Sequence, residues 1–197
     1  MEQQIILAGI VPAAGASTRM GADKRRLPLP SGLTVLEQTV SCLRAGGVAP
    51  IIVVLEPDSP CAALAGLADT SVVTNPAPAR GMLSSIRAGL EQLPRGAAAA
   101  AILPGDHPFV PPSAIRSLVE RFTRLRPLLL APRFAGRQGH PLLLGRPLFD
   151  EAMACDDAVG LRQLVRRHAA DLVLLDLPHE GAEQDLDTPA DLERLKR

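Results

Sequence analysis

Residues 5–24 read Ile5-Ile6-Leu7-Ala8-Gly9-Ile10-Val11-Pro12-Ala13-Ala14-Gly15-Ala16-Ser17-Thr18-Arg19-Met20-Gly21-Ala22-Asp23-Lys24. An apolar run of strand length passes at once into a loop of small residues that carries positive charge. The run is continuous and not alternating, the pattern of a strand buried on both faces. Similar runs recur at Ile51–Leu55, Ala97–Leu103, Leu128–Ala131 and Leu172–Leu175. The alanines at 97–101 are expected to form a strand, because Gly96 and Pro104 bracket them. Helical spacing fills the intervals. Val35, Leu36, Thr39, Val40 and Leu43 share one face, and Gly46-Gly47 ends it. Ile86, Leu90 and Leu93 share another before Pro94, and Ile115, Leu118, Val119 and Phe122 a third after Pro111-Pro112-Ser113. Leu161, Leu164 and Val165 mark a fourth helix, and Leu192 and Leu195 a short last one after Thr188-Pro189. Strand followed by helix, repeated, predicts one α/β domain over residues 1–197 with a mostly parallel sheet.

Composition narrows the function. Of 197 residues, 47% are hydrophobic and 21% charged, and 21 basic side chains balance 21 acidic ones. Such a chain lacks the broad positive field that nucleic acid or an anionic membrane attracts. With four Phe and neither Trp nor Tyr, it is also poor in rings for base stacking. Cys42, Cys61 and Cys155 are odd in number and far apart, so they are expected to be buried thiols of a reducing compartment. Glu2-Gln3-Gln4 stands where a signal peptide carries basic residues, and the apolar runs are shorter than a membrane span needs. A cytoplasmic protein with neither nucleic-acid nor membrane partners is expected. Of the 21 basic residues, only Lys24 and Lys196 are lysines.

Sites of open α/β sheets lie beyond the carboxyl ends of the strands. The loops that matter are therefore Pro12–Lys24, Asn75–Ser85, Pro104–Pro108, Gly136–Pro141 and Asp185–Pro189. The first is neither a Walker A loop nor a dinucleotide fingerprint. Small residues at Ala13, Ala14 and Gly15 let backbone N–H groups approach an anion. Ser17 offers a hydroxyl, and Arg19 and Lys24 offer charges suited to a triphosphate and a leaving pyrophosphate. Ser84 and Ser85 can cap the helix that follows Gly81, and the free N–H groups at its start can meet a phosphate or a base carbonyl. Asp106, between Gly105 and His107-Pro108, is a hard oxygen ligand of the kind Mg²⁺ takes. Asp185 and Asp187 point to one side of an extended chain and can complete such a site.

The spacing A-A-G-x-S-x-R-M-G-x-x-K, met by Ala13, Ala14, Gly15, Ser17, Arg19, Met20, Gly21 and Lys24, resembles the signature of the MobA-like NTP transferases, most closely their molybdenum cofactor cytidylyltransferase branch. The resemblance runs on through Asn75-Pro76, Gly81–Leu90, Gly105-Asp106, Gly139-His140-Pro141 and Asp185–Leu192. It implies a three-layer α/β/α domain, similar to the nucleotide-diphospho-sugar transferases and Rossmann-like. It implies a nucleotide site on Ala13, Ala14, Gly15, Ser17, Arg19, Lys24, Asn75, Gly81, Ser84 and Ser85. Lys24, Arg19 and Asp106 would be catalytic, Asp106 and Asp187 would hold Mg²⁺, and His140 and Asp185 would face the acceptor. The implied reaction joins a nucleoside monophosphate from CTP to the terminal phosphate of molybdenum-molybdopterin and releases pyrophosphate. Other readings keep the fold but take a sugar or polyol phosphate as acceptor, or make the chain a non-catalytic cofactor chaperone for a molybdenum hydroxylase client. His107, where the family carries Gln, is expected to be a hydrogen bonder without a catalytic role.

Overall fold

The structure is a computed structural model, and it describes residues 5–15, 23–63 and 69–178. Its strands are β1 (Ile6–Pro12), β2 (Ile51–Leu55), β3 (Thr70–Thr74), β4 (Ala97–Ile102), β5 (Leu129–Phe134), β6 (Arg137–Gln138), β7 (Leu142–Gly145) and β8 (Leu172–Asp176). Its helices are α1 (Val35–Ala45), α2 (Met82–Glu91), α3 (Pro112–Leu125), α4 (Phe149–Ala154) and α5 (Arg162–Arg167). The strands join one sheet in the order β3-β2-β1-β4-β7-β5, with β8 on the far edge of β5 and β6 continuing the β7 side. β1 pairs in parallel with β2 and β4, β2 with β3, and β5 with β8. β7 runs against β4 and β5.

Two clusters of side chains show why the strands read as continuous apolar runs. On one face Leu7, Val11, Val53 and Ala101 pack against Leu36, Val40 and Leu43 of α1 and Ile115, Leu118 and Phe122 of α3. On the other, Ile10, Ile52, Val54 and Ile102 meet Leu83, Ile86 and Leu90 of α2, Ala152 of α4 and Leu164 of α5. Successive residues of β1, β2 and β4 thus enter opposite cores, giving three layers of α/β/α. Gly89 of α2 lets that helix lie close on β1, since a Cβ there would lie 2.6 Å from Ile10 Cγ2. Thr34 opens α1 with a capping box, its Oγ1 accepting from Glu37 N and the Glu37 carboxylate from Thr34 N. Cys42, Cys61 and Cys155 are free and buried, as expected. No helix among the described residues is long and apolar enough to cross a membrane.

Three strands and a helix depart from the sequence reading. β3 is only partly buried, so no unbroken apolar run marks it. The segment 136–141, expected to be a loop, contains β6. There Ala135 and Gly136, with φ of 46° and 81°, turn the chain back so that Arg137 and Gln138 pair with Phe134 and Arg133. β7 and α4 are too short for a periodic signal. The last predicted helix, around Leu192 and Leu195, lies outside the described residues, as does the loop 185–189.

Candidate active site

The order β2-β1-β4 puts three strand ends side by side. Backbone bonds tie the loops beyond them together: Ala13 N donates to Val54 O, Leu103 N to Ile10 O and Gly105 N to Pro12 O. Gly105 is needed for that approach, because a Cβ there would stand 2.8 Å from Ala13 Cβ and 3.0 Å from Leu36 Cδ1. The result is a cavity of about 320 Å³ lined by Ala13, Ala14, Gly15, Lys24, Gly81, Ser85 and Asp106, among others. These seven candidate residues, drawn from three loops, therefore share one site. Ser17, Arg19, Asp185 and Asp187 lie outside the described residues.

Lys24 opens a single 3₁₀ turn, Lys24–Arg26, capped by Asp23. Its Nζ stands 2.6 Å from Asp106 Oδ2. The other carboxylate oxygen, Oδ1, accepts from His107 Nδ1 at 2.8 Å, which fixes the proton of that imidazole on Nδ1. Burial pushes the Asp106 carboxyl up, but the hydrogen bonds from His107 and Lys24 outweigh it and hold it well below the ordinary carboxylate range. Asp106 is thus kept ionised where it faces the cavity. His107 supports that carboxylate, the hydrogen-bonding role expected of it. Its ring meets His140 edge-on, with centroids 4.8 Å apart.

Asn75, Ser84 and Ser85 sit differently from the expectation. Helix α2 is entered from Gly81, whose φ of 96° suits glycine, and no side chain caps it. The two serines lie inside the first turn. Asn75, 2% exposed, donates from Nδ2 to Ser84 Oγ at 2.8 Å and Ser85 Oγ at 3.0 Å, and its Oδ1 accepts from Ala77 N. Ser84 Oγ donates back to Gly81 O. Asn75 and Ser84 therefore brace the loop from behind. Of the three, only Ser85 lines the cavity.

A second cavity, of about 570 Å³, lies beside the first and shares Met82 and Pro104 with it. His140, Gln138, Asp157, Arg162 and Arg166 supply its polar lining. Asp157 accepts from Arg80, just before α2, and from Arg87 on α2, so the wall of this cavity is tied to the loop that edges the first. The role of α5 in lining it was not legible, since only Leu161, Leu164 and Val165 marked that helix in the sequence.

Arg25 is the residue that sequence reasoning missed. As one of two adjacent arginines after Lys24, it carries no mark of a site role in the sequence. Yet the side chain is folded in, 8% exposed, against Asp23 and Glu56. Spacing gives no signal for a partner 31 positions away.

The family model of the MobA-like NTP transferase domain matches residues 9–172. A protein of Mycobacterium avium (strain 104) named probable molybdenum cofactor guanylyltransferase is 30% identical over 200 residues, covering 99% of this chain and 98% of that protein. The crystal structure of Rv0371c from Mycobacterium tuberculosis H37Rv superposes with a TM-score of 0.83 at 27% identity over 98% of each chain. A manganese complex of Rv0371c superposes with a TM-score of 0.77 at 25% identity, again over 98% of each chain.

Proposed function

The chain belongs to the MobA-like NTP transferase family, a family of nucleotidyl transfer, and we propose that it joins the nucleoside monophosphate of CTP to the terminal phosphate of molybdenum-molybdopterin, releasing pyrophosphate. The observation that carries this reading is the Lys24–Asp106 pair, 2.6 Å apart in a cavity walled by the small residues Ala13, Ala14 and Gly15. The ammonium binds triphosphate oxygens and stabilises the leaving pyrophosphate. Arg19 and Ser17 of the same motif would add a charge and a hydroxyl to that task. Ser85 and Gly81, which line the same cavity, would contact the nucleoside. The attacking phosphate is already an anion, so the chain need supply no general base; its work is to align two phosphates and neutralise charge.

A divalent ion fits this chemistry. Mg²⁺ takes one or two carboxylates together with substrate phosphates and water, not a dedicated protein cage. Asp106 is an ionised carboxylate facing the phosphate cavity, and no cluster of three or more ligating side chains is present among the described residues. Asp106 and Asp187 would hold the ion. When bound, it supplies charge neutralisation at the transferred phosphoryl oxygens. The manganese complex of a structural neighbour supports a divalent metal here.

The second cavity receives the acceptor. It opens from the first across Met82 and Pro104, and His140 stands on its wall. Asp185 would serve the acceptor, and a molybdenum hydroxylase would consume the product. A chaperone that only held the cofactor would have no use for the Lys24–Asp106 pair.

The donor has a second reading. The motif's resemblance to the cytidylyltransferase branch favours CTP, whereas the name of the Mycobacterium avium relative favours GTP. The test is a melting panel of CTP, GTP, ATP and UTP with Mg²⁺, followed by pyrophosphate release with molybdopterin. CTP should stabilise most, since a ligand at a hundred times its Kd adds about 2.7 kcal/mol. A response to GTP alone would select the second reading. Absence of pyrophosphate release with every nucleotide would overturn nucleotidyl transfer to molybdopterin.

A further inference from the structure

Arg25 lines the nucleotide cavity, yet it has nothing left to give a phosphate. A guanidinium has five N–H donors. Nε donates to Asp23 Oδ1 at 2.7 Å, and Nη2 donates to Asp23 Oδ2 and Glu56 Oε1, each at 2.7 Å. Nη1 donates to Glu56 Oε2 at 2.5 Å and to the Ala13 carbonyl. All five are spent inside the protein. Two of these partners matter to the site. The Ala13 carbonyl belongs to the loop whose backbone faces the phosphates. In a planar trans peptide the N–H of Ala14 points opposite to that carbonyl, so a bond that holds one orients the other. Glu56 stands just past β2, on the side of β1 away from Asp106.

Lys24 and Arg25 are neighbours in one turn and reach opposite ways, Lys24 to the end of β4 and Arg25 to the end of β2. The turn is thereby pinned on both flanks of β1. A fork that binds two carboxylates bidentately fixes direction as well as distance.

We infer that Arg25, through Asp23, Glu56 and the Ala13 carbonyl, is a positioning residue that sets Lys24 and the Ala13-Ala14 backbone for the nucleotide's phosphates. This rests on the nucleotidyl-transfer reading, and it adds a role that neither the phosphate-loop motif nor the metal site contains.

The test compares Arg25→Gln and Glu56→Gln with the unmodified protein. Glu56→Gln keeps the size of the side chain and its hydrogen bonding, so it remains informative should Arg25→Gln fail to fold. Calorimetry with CTP and with GTP, each with Mg²⁺, gives nucleotide Kd. Pyrophosphate release gives nucleotide and molybdopterin KM. A ¹³C-dimethyl label, introduced by reductive methylation, reports the surroundings of Lys24, and its signal is simple to assign because Lys196 is the chain's other lysine. The expected result is a roughly 10- to 100-fold loss in nucleotide affinity, an unchanged molybdopterin KM, and a shifted Lys24 resonance in the nucleotide-free protein. A folded variant that melts earlier, yet keeps nucleotide affinity and an unshifted Lys24 resonance, would make the cluster a structural staple and overturn the inference. If the unmodified protein neither binds nucleotide nor releases pyrophosphate, the transfer reading fails. The Lys24 resonance then still decides whether Arg25 positions Lys24.

Discussion

Lys24 places a compact ammonium 2.6 Å from the Asp106 carboxylate in a chain whose other cations are almost all guanidinium. Removing it as Lys24→Ala should slow pyrophosphate release by about 10²–10³-fold, the size of a lost preorganised donor. Lys24→Arg should not restore the rate, because the planar fork needs room that Ala13, Ala14 and Gly105 leave for a point charge. An Arg variant with unaltered kcat and KM would show that net charge alone matters. The neighbouring pairs carry a pH signature. Hydrogen bonds from Arg25 lower both the Asp23 and the Glu56 carboxyls. Folded values below the ordinary 3.8 and 4.5 mean that the stabilisation is present above those values and is lost as pH falls through them. Glu56→Gln should therefore flatten the acid limb of a melting curve taken from about pH 5 down to about pH 3, while lowering Tm near neutrality. A variant with an equally steep acid limb would place the acid sensitivity elsewhere.

The hairpin of β5 and β6 holds a non-glycine residue in the left-handed region, Ala135 at φ 46°. A type I′ turn wants Asn or Gly there. Ala135→Asn should raise the urea midpoint, adding about 0.5–1 kcal/mol; a lowered midpoint would show that the alanine is not strained. The same elements show what could be read in advance. β1, β2 and β4 are buried on both faces, so their apolar runs announced both the strands and the parallel sheet. The helical stripes of α1 and α3 were visible because each packs a full face on that sheet. β3 lacks that double burial, and β6 arises only because two positive-φ residues turn the chain, so neither was legible. In the site, Lys24 and Asp106 were found because each stands just past a strand end or inside a small-residue loop. Asn75's bonds to Ser84 and Ser85 were not legible, because sequence marks the loop but not which side of it a side chain takes. Arg25 stayed hidden because its meaning depends on Glu56, which only the pairing of β1 with β2 brings near.

At the scale of the whole molecule, one carboxylate among the described residues ties the walls of the two cavities together. Asp157, before α5, takes hydrogen bonds from Arg80 and Arg87, and Arg87 also donates to the Cys155 carbonyl. The two cavities meet at the wall formed by Met82 and Pro104, which both share. That wall bears on how fast the protein can work. On the proposed reading each substrate would fill one cavity and leave the other free, but the product of joining them would span the two, its halves held as a tethered pair. Letting go then demands that both grips open at once, so release and not bond formation should limit turnover. Mixing the loaded protein with molybdopterin should give a burst of pyrophosphate close to one per chain before a slower steady phase. A linear trace from the start would mean that chemistry is the slow step. A burst would make the dinucleotide a cargo better surrendered to a receiving protein than to water.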